Sequence, residues 1–348
     1  MLPLKPSDIG RHDLTASSNA KYEGFLEKHG WKEKEISFLA GDASHRRYYR
    51  LGSETSGHVL LVDAPPPMEN MEHFVQIDKV LWDLGFSVPE ILAVDTTQGL
   101  ALIEDFGDTT YTRVLEGKEK EELLYKTAVD VLIDLHKNFN SRLYPELRPY
   151  TQQEYMREAD LFVEWYYPKI FKKALSEEGQ KAWNQCWQAV LEAPLESEKT
   201  LVLRDYHIDN LVWLKGRTGV QRCGLLDFQD ALIGSKTYDL VSLLEDARHD
   251  VPLTIQNKMI KRYLDAFPKL RHDDFLKGYY TIGAQRSTKI IGIFSRLAFR
   301  DGKKKYLSHI PRLWKWLEGD LNHPSLKSVK EWFDYYVPQG RREVPHED

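Results

Sequence analysis

The sequence predicts an α+β chain with two lobes, a small one built on an antiparallel sheet and a larger, mainly helical one. Short runs of β-type residues fill the first hundred positions, whereas apolar residues recur at helical spacing beyond Glu116. The chain has 348 residues, of which 42% are hydrophobic, and this length exceeds what a single core usually serves. We therefore expect two domains, at residues 1–104 and 105–348.

Five strands and one helix are predicted in the first domain. The strands are ISFLA, RYYRL, HVLLVDA, EILAVD and GLALIEDF, with turn-prone residues between them. After the third strand, the segment MENMEHFVQIDKVLWDLG sets Phe74, Ile77 and Leu81 at helical spacing, and Gly85 ends the helix. Because the strands are joined by short turns or by this one helix, we expect an antiparallel sheet.

Helices dominate the second domain, beginning with the apolar face of Leu124, Ala128, Val131 and Leu135. Further helical segments are TQQEYMREADLFVEWYYPKIF, EGQKAWNQCWQAVLEA, TYDLVSLLEDAR, TIQNKMIKRYLDAF, HDDFLKGYYTIGAQRSTKIIGIFSRLA and YLSHIPRLWKWLEGDL. The only strands expected there are a pair around residues 211–226, closed by the turn KGRTG. The segment EDFGDTTY, residues 104–111, is the expected hinge.

Composition narrows the class of protein. A net charge of -5 argues against a dedicated nucleic-acid binder, which needs a concentrated basic surface. The two cysteines, Cys186 and Cys223, lack zinc-ligand spacing and indicate a reducing compartment. No run approaches the ~18 apolar residues of a membrane span, and the first residues lack a signal-peptide core. We expect a cytoplasmic protein without nucleic-acid or membrane partners; its oligomeric state is not indicated.

Oxygen-bearing side chains cluster around one predicted hairpin. The stretch TLVLRDYHIDNLVWL places Asp205 and Asn210 just before a strand, and Asp227 ends the strand that returns. Hard oxygen ligands of this kind suit Mg²⁺, which takes one or two carboxylates and completes its shell with phosphate and water. A carboxylate without metal duty can accept a proton from an attacking hydroxyl. The pattern therefore predicts phosphoryl transfer.

Two of these segments resemble a known superfamily. LRDYHIDN is similar to the catalytic loop of protein kinases and aminoglycoside phosphotransferases, and LLDFQD resembles their metal-binding segment. The resemblance implies a protein-kinase-like fold whose first domain binds ATP. It also implies that Asp205 is the catalytic base and that Asn210 and Asp227 hold Mg²⁺.

A closer resemblance is carried by five blocks in order, GDASHRRYYRL, LLVDAPPP, LIEDFGD, LRDYHIDNLVWL and GLLDFQDALIGSKTYDLVSLLEDAR. Together they resemble the bacterial cell-wall amino-sugar kinases, which phosphorylate the anomeric hydroxyl of N-acetylmuramate and N-acetylglucosamine in peptidoglycan recycling. This implies an ATP-dependent sugar kinase. Two alternatives stay open: an aminoglycoside or choline-type kinase, whose cationic acceptors need carboxylates or aromatic faces, and a catalytically weak nucleotide-binding module.

The resemblance also assigns residues to the nucleotide. The turn GDASHRR, including Gly41 and Ser44, is expected to cradle phosphates with its backbone N–H groups. Backbone groups from Glu104 to Phe106 are expected to contact the adenine edge. His207 stands where protein kinases carry a phosphate-contacting lysine, so we expect it either to contact phosphate or to stabilise the loop.

One departure from the protein-kinase pattern concerns charge. The strand that should carry a phosphate-gripping lysine has Asp63 instead, so another cation must neutralise the phosphates. Arg46, Arg47 and Arg50 are the candidates, and alternation along the strand places Arg46 and Arg50 on one side and Arg47 on the other. Glu72, on the predicted helix, either pairs with one of them or is solvated.

Basic residues on the long helix AQRSTKIIGIFSRLAFRDGKKK are the last candidates. Arg286 or Arg296 is expected to meet a substrate carboxylate, such as that of N-acetylmuramate, through a bidentate pair. The alternative is a solvated basic face. Asp239, at the start of another helix, is expected to cap that helix and brace a loop.

Overall fold

The computed structural model describes residues 16–32, 35–41, 45–53, 57–117 and 120–346. The chain divides into two units, Met1–Thr127 with Ile208–Asp230, and Ala128–His207 with Ala231–Asp348. This division differs from the predicted one at residue 104, because the segment after the sheet and the hairpin of residues 208–230 group with the sheet. Ser44 lies outside the described residues.

The first unit contains the predicted five-stranded antiparallel sheet. Its strands are β1 (Ile36–Gly41), β2 (Arg47–Ser53), β3 (Gly57–Asp63), β4 (Ile91–Asp95) and β5 (Leu100–Glu104). Their order is β1-β2-β3-β5-β4, so neighbours in sequence pair through short turns except where a helix intervenes. Gly41, expected at the phosphates, is the last residue of β1.

Helices of the first unit are α1 (Ala16–Lys28), α2 (Met71–Asp83) and α3 (Tyr111–Leu115), and α4 (Glu121–Asn138) continues past Thr127. Asn70 caps α2 by accepting a bond from the amide of His73 at 3.1 Å. Helix α1 was not predicted from the sequence, yet Tyr22 and Phe25 of this helix belong to the buried core on the sheet. Burial of such rings contributes more to stability than helix propensity does.

A short hairpin, β7 (Leu211–Trp213) with β8 (Cys223–Leu225), is the predicted strand pair. Backbone bonds attach it to the sheet unit: the amide of Leu225 donates to the carbonyl of Ser87 at 2.8 Å, and that of Trp213 donates to Thr109 at 2.8 Å. These bonds explain why the hairpin groups with the sheet rather than with the helices around it in sequence. Pairing partners that are distant in sequence are not visible in local patterns.

The second unit is mainly helical, as predicted. Its helices are α5 (Gln152–Leu161), α6 (Tyr167–Phe171), α7 (Glu177–Glu196), α8 (Tyr238–Leu244), α9 (Leu253–Ala266), α10 (His272–Phe299), α11 (Ile310–Asp320) and α12 (Lys327–Tyr336). A π-helical turn, Phe162–Tyr166, joins α5 to α6. Among the described residues, no helix has the length and apolarity that a bilayer crossing needs.

The expectation that residues 211–226 hold the only strands of the second half was wrong. A second antiparallel ribbon pairs β6 (Lys199–Val202) with β9 (Leu232–Ser235), with Leu201 opposite Ile233. Each strand has only four residues, too few to show a clear period of two. The ribbon matters because β6 leads directly to the segment that carries Asp205.

The 28-residue helix α10 is buried along most of its length. At Gly292 a Cβ atom would lie 2.4 Å from the backbone carbon of Leu161, so the glycine permits close packing against the end of α5. At Gly283 a Cβ atom would lie 2.4 Å from Asp320 Oδ2 and 2.8 Å from Glu245 Oε2. Helix α10 therefore packs closely against a buried pair of carboxyl groups.

This pair makes stability pH-dependent. Burial raises the pKa of Glu245 to about 7, and burial with the neighbouring Glu245 raises the pKa of Asp320 well above its ordinary value. The folded state therefore favours the protonated carboxyls, whereas the unfolded chain ionises them near pH 4. Their stabilisation is complete below that pH and is lost as the pH rises through the raised pKa values, which for Glu245 is about 7.

We expect Glu245→Gln to gain stability relative to the original chain between pH 5 and pH 8, because an amide cannot ionise. Urea midpoints of the two proteins measured at several pH values would show the gain. Glu192→Gln, which changes an exposed glutamate of α7, serves as the control. A difference between Glu245→Gln and the original chain that stays constant with pH would contradict the assignment.

Candidate active site

The segment carrying Asp205 is held by a buried carboxylate of the second unit. Asp239, in the first turn of α8, accepts backbone N–H bonds from Leu203 at 2.7 Å and from Arg204 at 2.9 Å. Arg204 has a positive φ of 70°, a conformation that costs a non-glycine residue about 1 kcal/mol or more. The bonds to Asp239 fix this turn, which confirms the predicted bracing role. The predicted capping role was wrong, because Thr237 is the N-cap of α8 and Asp239 lies within its first turn.

Glu158 on α5 is the centre of a charged cluster. Its carboxylate lies 2.5 Å from Arg204 Nη2 and 2.9 Å from Lys289 Nζ, and it accepts a bond from the hydroxyl of Tyr150. Burial alone would raise the pKa of Glu158, but Lys289 and Arg204 lower it to about 2. Glu158 therefore stays ionised and anchors Arg204, the residue before Asp205.

Glu158 was not predicted from the sequence. A signal was present, because Glu158 lies on the face of α5 whose other members, Tyr155 and Ala159, are buried. A charge within an apolar stripe indicates a buried ion pair, since an unpaired charge there would be strongly destabilising.

Asp205 and His207 line a cleft of about 100 Å³ within the second unit. One wall is helix α10, which contributes Arg286 and Lys289 near Asp205 and then a set of apolar side chains, Ile290, Ile293 and Phe294. Ser242, Asp246 and Arg248 line the cleft from α8 and the segment after it. The cleft thus combines two carboxylates, several cations and an apolar wall, a composition suited to a small polar ligand.

His207 is buried and neutral. Burial lowers its pKa well below the ordinary value, and the positive charge of Arg248 acts in the same direction. Arg248 Nη1 lies 3.5 Å from His207 Nε2. A neutral imidazole can donate or accept a hydrogen bond but adds no positive charge for a phosphate.

The two candidate arginines of α10 lie in different surroundings. Arg286 lines the cleft, whereas Arg296 is half-buried outside the cleft lining, within electrostatic range of Arg300 and Glu164. Burial lowers the pKa of Arg296, and Arg300 lowers it further. The structure therefore brings Arg286, but not Arg296, into the same cleft as Asp205.

Asn210 and Asp227 meet in the first unit. Asn210 Nδ2 donates to Asp227 Oδ2 at 3.3 Å, and Gln229 Nε2 donates to Asp227 Oδ1 at 2.8 Å. Asp227 has a φ of 59°, a left-handed conformation that aspartate adopts more readily than most residues. Asp205 belongs to the second unit, so the convergence of all three residues on one ion remains a prediction.

Arg46 is the arginine nearest this pair. Only 6% exposed, it forms an ion pair with Glu69 at 2.8 Å, and its Nη1 lies 3.5 Å from Asp227 Oδ1. Burial would lower its pKa, but Tyr48, Asp227 and Glu69 raise it above the ordinary value. Glu72 was one expected partner for these arginines. It is exposed, and Arg46 is paired instead with Glu69, which lies just before α2.

Arg50 is engaged elsewhere. Its guanidinium bonds both oxygens of Asp105, at 2.5 and 3.1 Å, and both oxygens of Asp108, each at 3.2 Å. The amide of Gly107 donates to Asp105 at 2.8 Å. Arg50 therefore ties β2 to the predicted hinge segment, and Arg46 is the better placed of the two arginines for a phosphate.

The hinge side chains of Glu104 and Phe106 contact neighbouring residues of the first unit. Glu104 pairs with Arg217 at 2.9 Å, and that guanidinium lies 5.2 Å from the centre of the Phe106 ring. Phe106 also packs so closely on Gly224 that a Cβ atom there would lie 2.8 Å from the ring. These contacts leave backbone groups, rather than side chains, to carry the expected adenine contacts.

Asp63, the residue that replaces the expected lysine, is neutralised by α1. Lys21 Nζ lies 2.7 Å from its Oδ1, and the Tyr22 hydroxyl donates to its Oδ2 at 2.6 Å. Its carboxylate therefore does not act as an isolated negative charge. The neutralising helix α1 was not predicted from the sequence.

The residues present fit Mg²⁺ better than a metal held only by protein. Among the described residues, no group of three or more His, Cys, Asp or Glu side chains is placed to hold an ion. Asp227 would supply a carboxylate, and Asn210 would supply an amide oxygen after rotation of its amide group. Mg²⁺ commonly takes one or two protein ligands and completes its shell with phosphate and water.

Comparison with known proteins identifies relatives over most of the chain. The model of the phosphotransferase enzyme family matches residues 35–273. A relative from Caulobacter vibrioides is 34% identical over 93% of this chain and 98% of its own length. A relative from Neisseria meningitidis is 33% identical to this chain, over 82% of it and 85% of its own length. One from Pseudomonas aeruginosa is 35% identical, over 89% of this chain and 92% of its own length. All three are named N-acetylmuramate/N-acetylglucosamine kinase.

Solved structures confirm the fold. The choline kinase of Streptococcus pneumoniae matches with a TM-score of 0.60 at 14% identity, covering 86% of this chain and 99% of that one. An ADP-bound aminoglycoside phosphotransferase, APH(2'')-Ib, matches with a TM-score of 0.57 at 15% identity, covering 85% and 97%. The predicted α+β, protein-kinase-like fold is therefore confirmed.

Proposed function

The chain belongs to the phosphotransferase enzyme family, and from this premise we propose that it is an ATP-dependent kinase that phosphorylates the anomeric hydroxyl of a cell-wall amino sugar. The acceptors are N-acetylmuramate and N-acetylglucosamine, and the place of such a reaction is peptidoglycan recycling in the cytoplasm. The observation that carries the proposal is the shared name of relatives that match this chain over 82–93% of its length at 30–35% identity.

Asp205 is the proposed catalytic base. It lines the cleft in which a sugar would bind, and its backbone is fixed through Leu203 and Arg204. The acceptor oxygen attacks the γ-phosphorus of ATP, the proton of the hydroxyl passes to the Asp205 carboxylate, and ADP leaves. Since an anomeric hydroxyl is more acidic than an ordinary alcohol, orientation of the hydroxyl is a large part of this role.

Asn210 and Asp227 are the proposed ligands of Mg²⁺, which when bound would neutralise phosphate charge. Arg46 is proposed to bind the phosphates, supported by its position 3.5 Å from Asp227 and by Glu69, which holds its guanidinium in place. An arginine held in this way loses little side-chain entropy on binding.

Backbone groups are proposed to make most of the remaining nucleotide contacts. Gly41 and Ser44 would offer backbone N–H groups to phosphate, and backbone groups from Glu104 to Phe106 would meet the adenine. Arg50, held by Asp105 and Asp108, would support the hinge rather than the phosphates. His207, buried and neutral, would stabilise the loop or donate one hydrogen bond to a phosphate.

The charged groups of the cleft nearly balance one another. Arg286, Lys289 and Arg248 line it together with the carboxylates of Asp205 and Asp246, and Lys289 is also paired with Glu158. The buried guanidinium of Arg286 is the charge that favours a neutral or anionic acceptor over choline or an aminoglycoside. The apolar wall of Ile290, Ile293 and Phe294 suits the methyl groups and the apolar face of an N-acetylated sugar.

The test is ATP consumption with N-acetylmuramate, N-acetylglucosamine, choline and kanamycin, followed by location of the phosphate in the product by NMR. We expect turnover with the two amino sugars and phosphate on the anomeric carbon. Turnover with choline or kanamycin alone would replace the proposal with the corresponding kinase. Nucleotide binding without any phosphorylated product would favour a nucleotide-binding module.

A further inference from the structure

Arg286 is a buried cation in the wall of the cleft. It is 5% exposed, and its Nε has no hydrogen-bond partner among the residues that the structure describes. Its Nη2 donates a long bond of 3.4 Å to the carbonyl oxygen of Arg204, and its guanidinium lies 5.5 Å from the centre of the Tyr238 ring. Among the described residues, no carboxylate is close enough to form an ion pair with it.

The neighbouring charges do not compensate it at close range. Asp239 and Glu245 interact with Arg286 electrostatically, but the oxygens of Asp239 are bonded to the amides of Leu203 and Arg204. Lys289, one turn along α10, differs from Arg286 because its ammonium is paired with Glu158 at 2.9 Å. A buried charge is costly unless an anion or several hydrogen bonds satisfy it.

An anionic ligand can reach Arg286 through the cleft that this arginine lines with Asp205. On the same face of α10, Ile290 and Ile293 follow Arg286 by about one and two helical turns, and both line the cleft. A guanidinium beside branched apolar side chains fits a carboxylate attached to a short alkyl group. The lactyl ether of N-acetylmuramate has this chemistry, and N-acetylglucosamine lacks it.

We propose that Arg286 binds the carboxylate of the acceptor and sets the preference of the enzyme for N-acetylmuramate over N-acetylglucosamine, an inference that rests on the proposed function. A guanidinium can bond a carboxylate through two parallel N–H groups. Since the carboxylate stays unchanged throughout the reaction, the contact contributes to acceptor binding rather than to the chemical step.

The experiment compares kcat/KM for N-acetylmuramate, its methyl ester and N-acetylglucosamine. The ester keeps the ring and the lactyl group but has no charge. In Arg286→Gln we expect a fall of about 10- to 100-fold for the acid, and less than about 3-fold for the ester and N-acetylglucosamine. Arg286→Lys, which keeps the charge without the planar fork, is expected to give an intermediate loss for the acid.

Arg300→Gln is the matched control, because Arg300 is exposed at the end of the same helix and pairs with Asp301. We expect it to leave all three acceptors unchanged. Should Arg286→Gln fail to fold, the original protein still tests the inference, since it must prefer the acid over the ester by about 10-fold or more.

Three outcomes would overturn the inference. An equal loss for all three acceptors in Arg286→Gln would mean that the arginine positions the Arg204 turn or binds the transferred phosphate. Loss of the acid preference in Arg296→Gln instead would assign the carboxylate to Arg296. Equal kcat/KM values of the original protein for the acid and the ester would show that the enzyme makes no contact that depends on the carboxylate charge. Absence of turnover with every sugar would instead refute the proposed function itself.

Discussion

Replacement of Asp205 by asparagine is expected to lower kcat by about 10²-fold or more, with a much smaller effect on KM for the sugar. The amide has the shape of the carboxylate but cannot accept the proton of the acceptor hydroxyl. The loop should keep its conformation, because its amides are bonded to Asp239 and the side chain of Arg204 to Glu158. Steady-state kinetics with N-acetylglucosamine as acceptor, together with a thermal melt, would measure both effects.

Asp273→Asn is the control for this experiment, since Asp273 is an exposed aspartate in the first turn of α10. We expect it to retain the original turnover. Near-full turnover in Asp205→Asn would refute the assignment of Asp205 as the base. A large fall in melting temperature would show that the carboxylate acts in the fold instead.

The second large effect is expected at Asp227. Asp227→Asn should lower turnover by about 10²- to 10³-fold, the usual size of loss when an electrostatic stabiliser of the transition state is removed, and should raise the Mg²⁺ concentration needed for half-maximal rate. Asparagine is the informative substitution because it also tolerates the left-handed backbone of this position, where φ is 59°. Alanine would add backbone strain to the loss of the ligand.

Arg46 keeps its ion pair with Glu69 in Asp227→Asn, so the first unit should stay folded. Rates measured across a Mg²⁺ series, in parallel with Asp83→Asn on the exposed surface of α2, would isolate the effect of the metal. An unchanged Mg²⁺ dependence in Asp227→Asn would remove this residue from the metal site and require another ligand.

The fold was predictable to the extent that its elements are encoded locally. The five sheet strands and the helices from α5 to α11 follow from apolar spacing and turn residues. Helix α1 was missed because its stability comes from Tyr22 and Phe25 packing on the sheet, not from its own pattern. The β6–β9 ribbon was missed because its two short strands pair with each other although they are distant in sequence.

The candidate site shows the same limit. Asp205, Asn210 and Asp227 stand out because chemistry-bearing residues interrupt apolar segments at a fixed spacing. The residues that hold the site together were not predicted, because Glu69, Glu158 and Lys21 are distant in sequence from Arg46, Arg204 and Asp63. The sequence could not show which arginines lie at the site. In the structure Arg286 lines the cleft and Arg296 does not, and Arg46 lies beside Asp227 whereas Arg50 pairs with Asp105.

The ionised state of Glu158 bears on how the reaction responds to acid. Because two cations hold the pKa of this carboxylate at about 2, the anchor of Arg204 keeps its charge throughout the physiological range. Glu158 therefore does not become protonated as a cell acidifies, and the turn at Arg204 that precedes Asp205 is not released. An acidic limb in the pH–rate profile must be attributed to a different group, and a phosphorylation switch is not required to hold the Arg204 side chain in place.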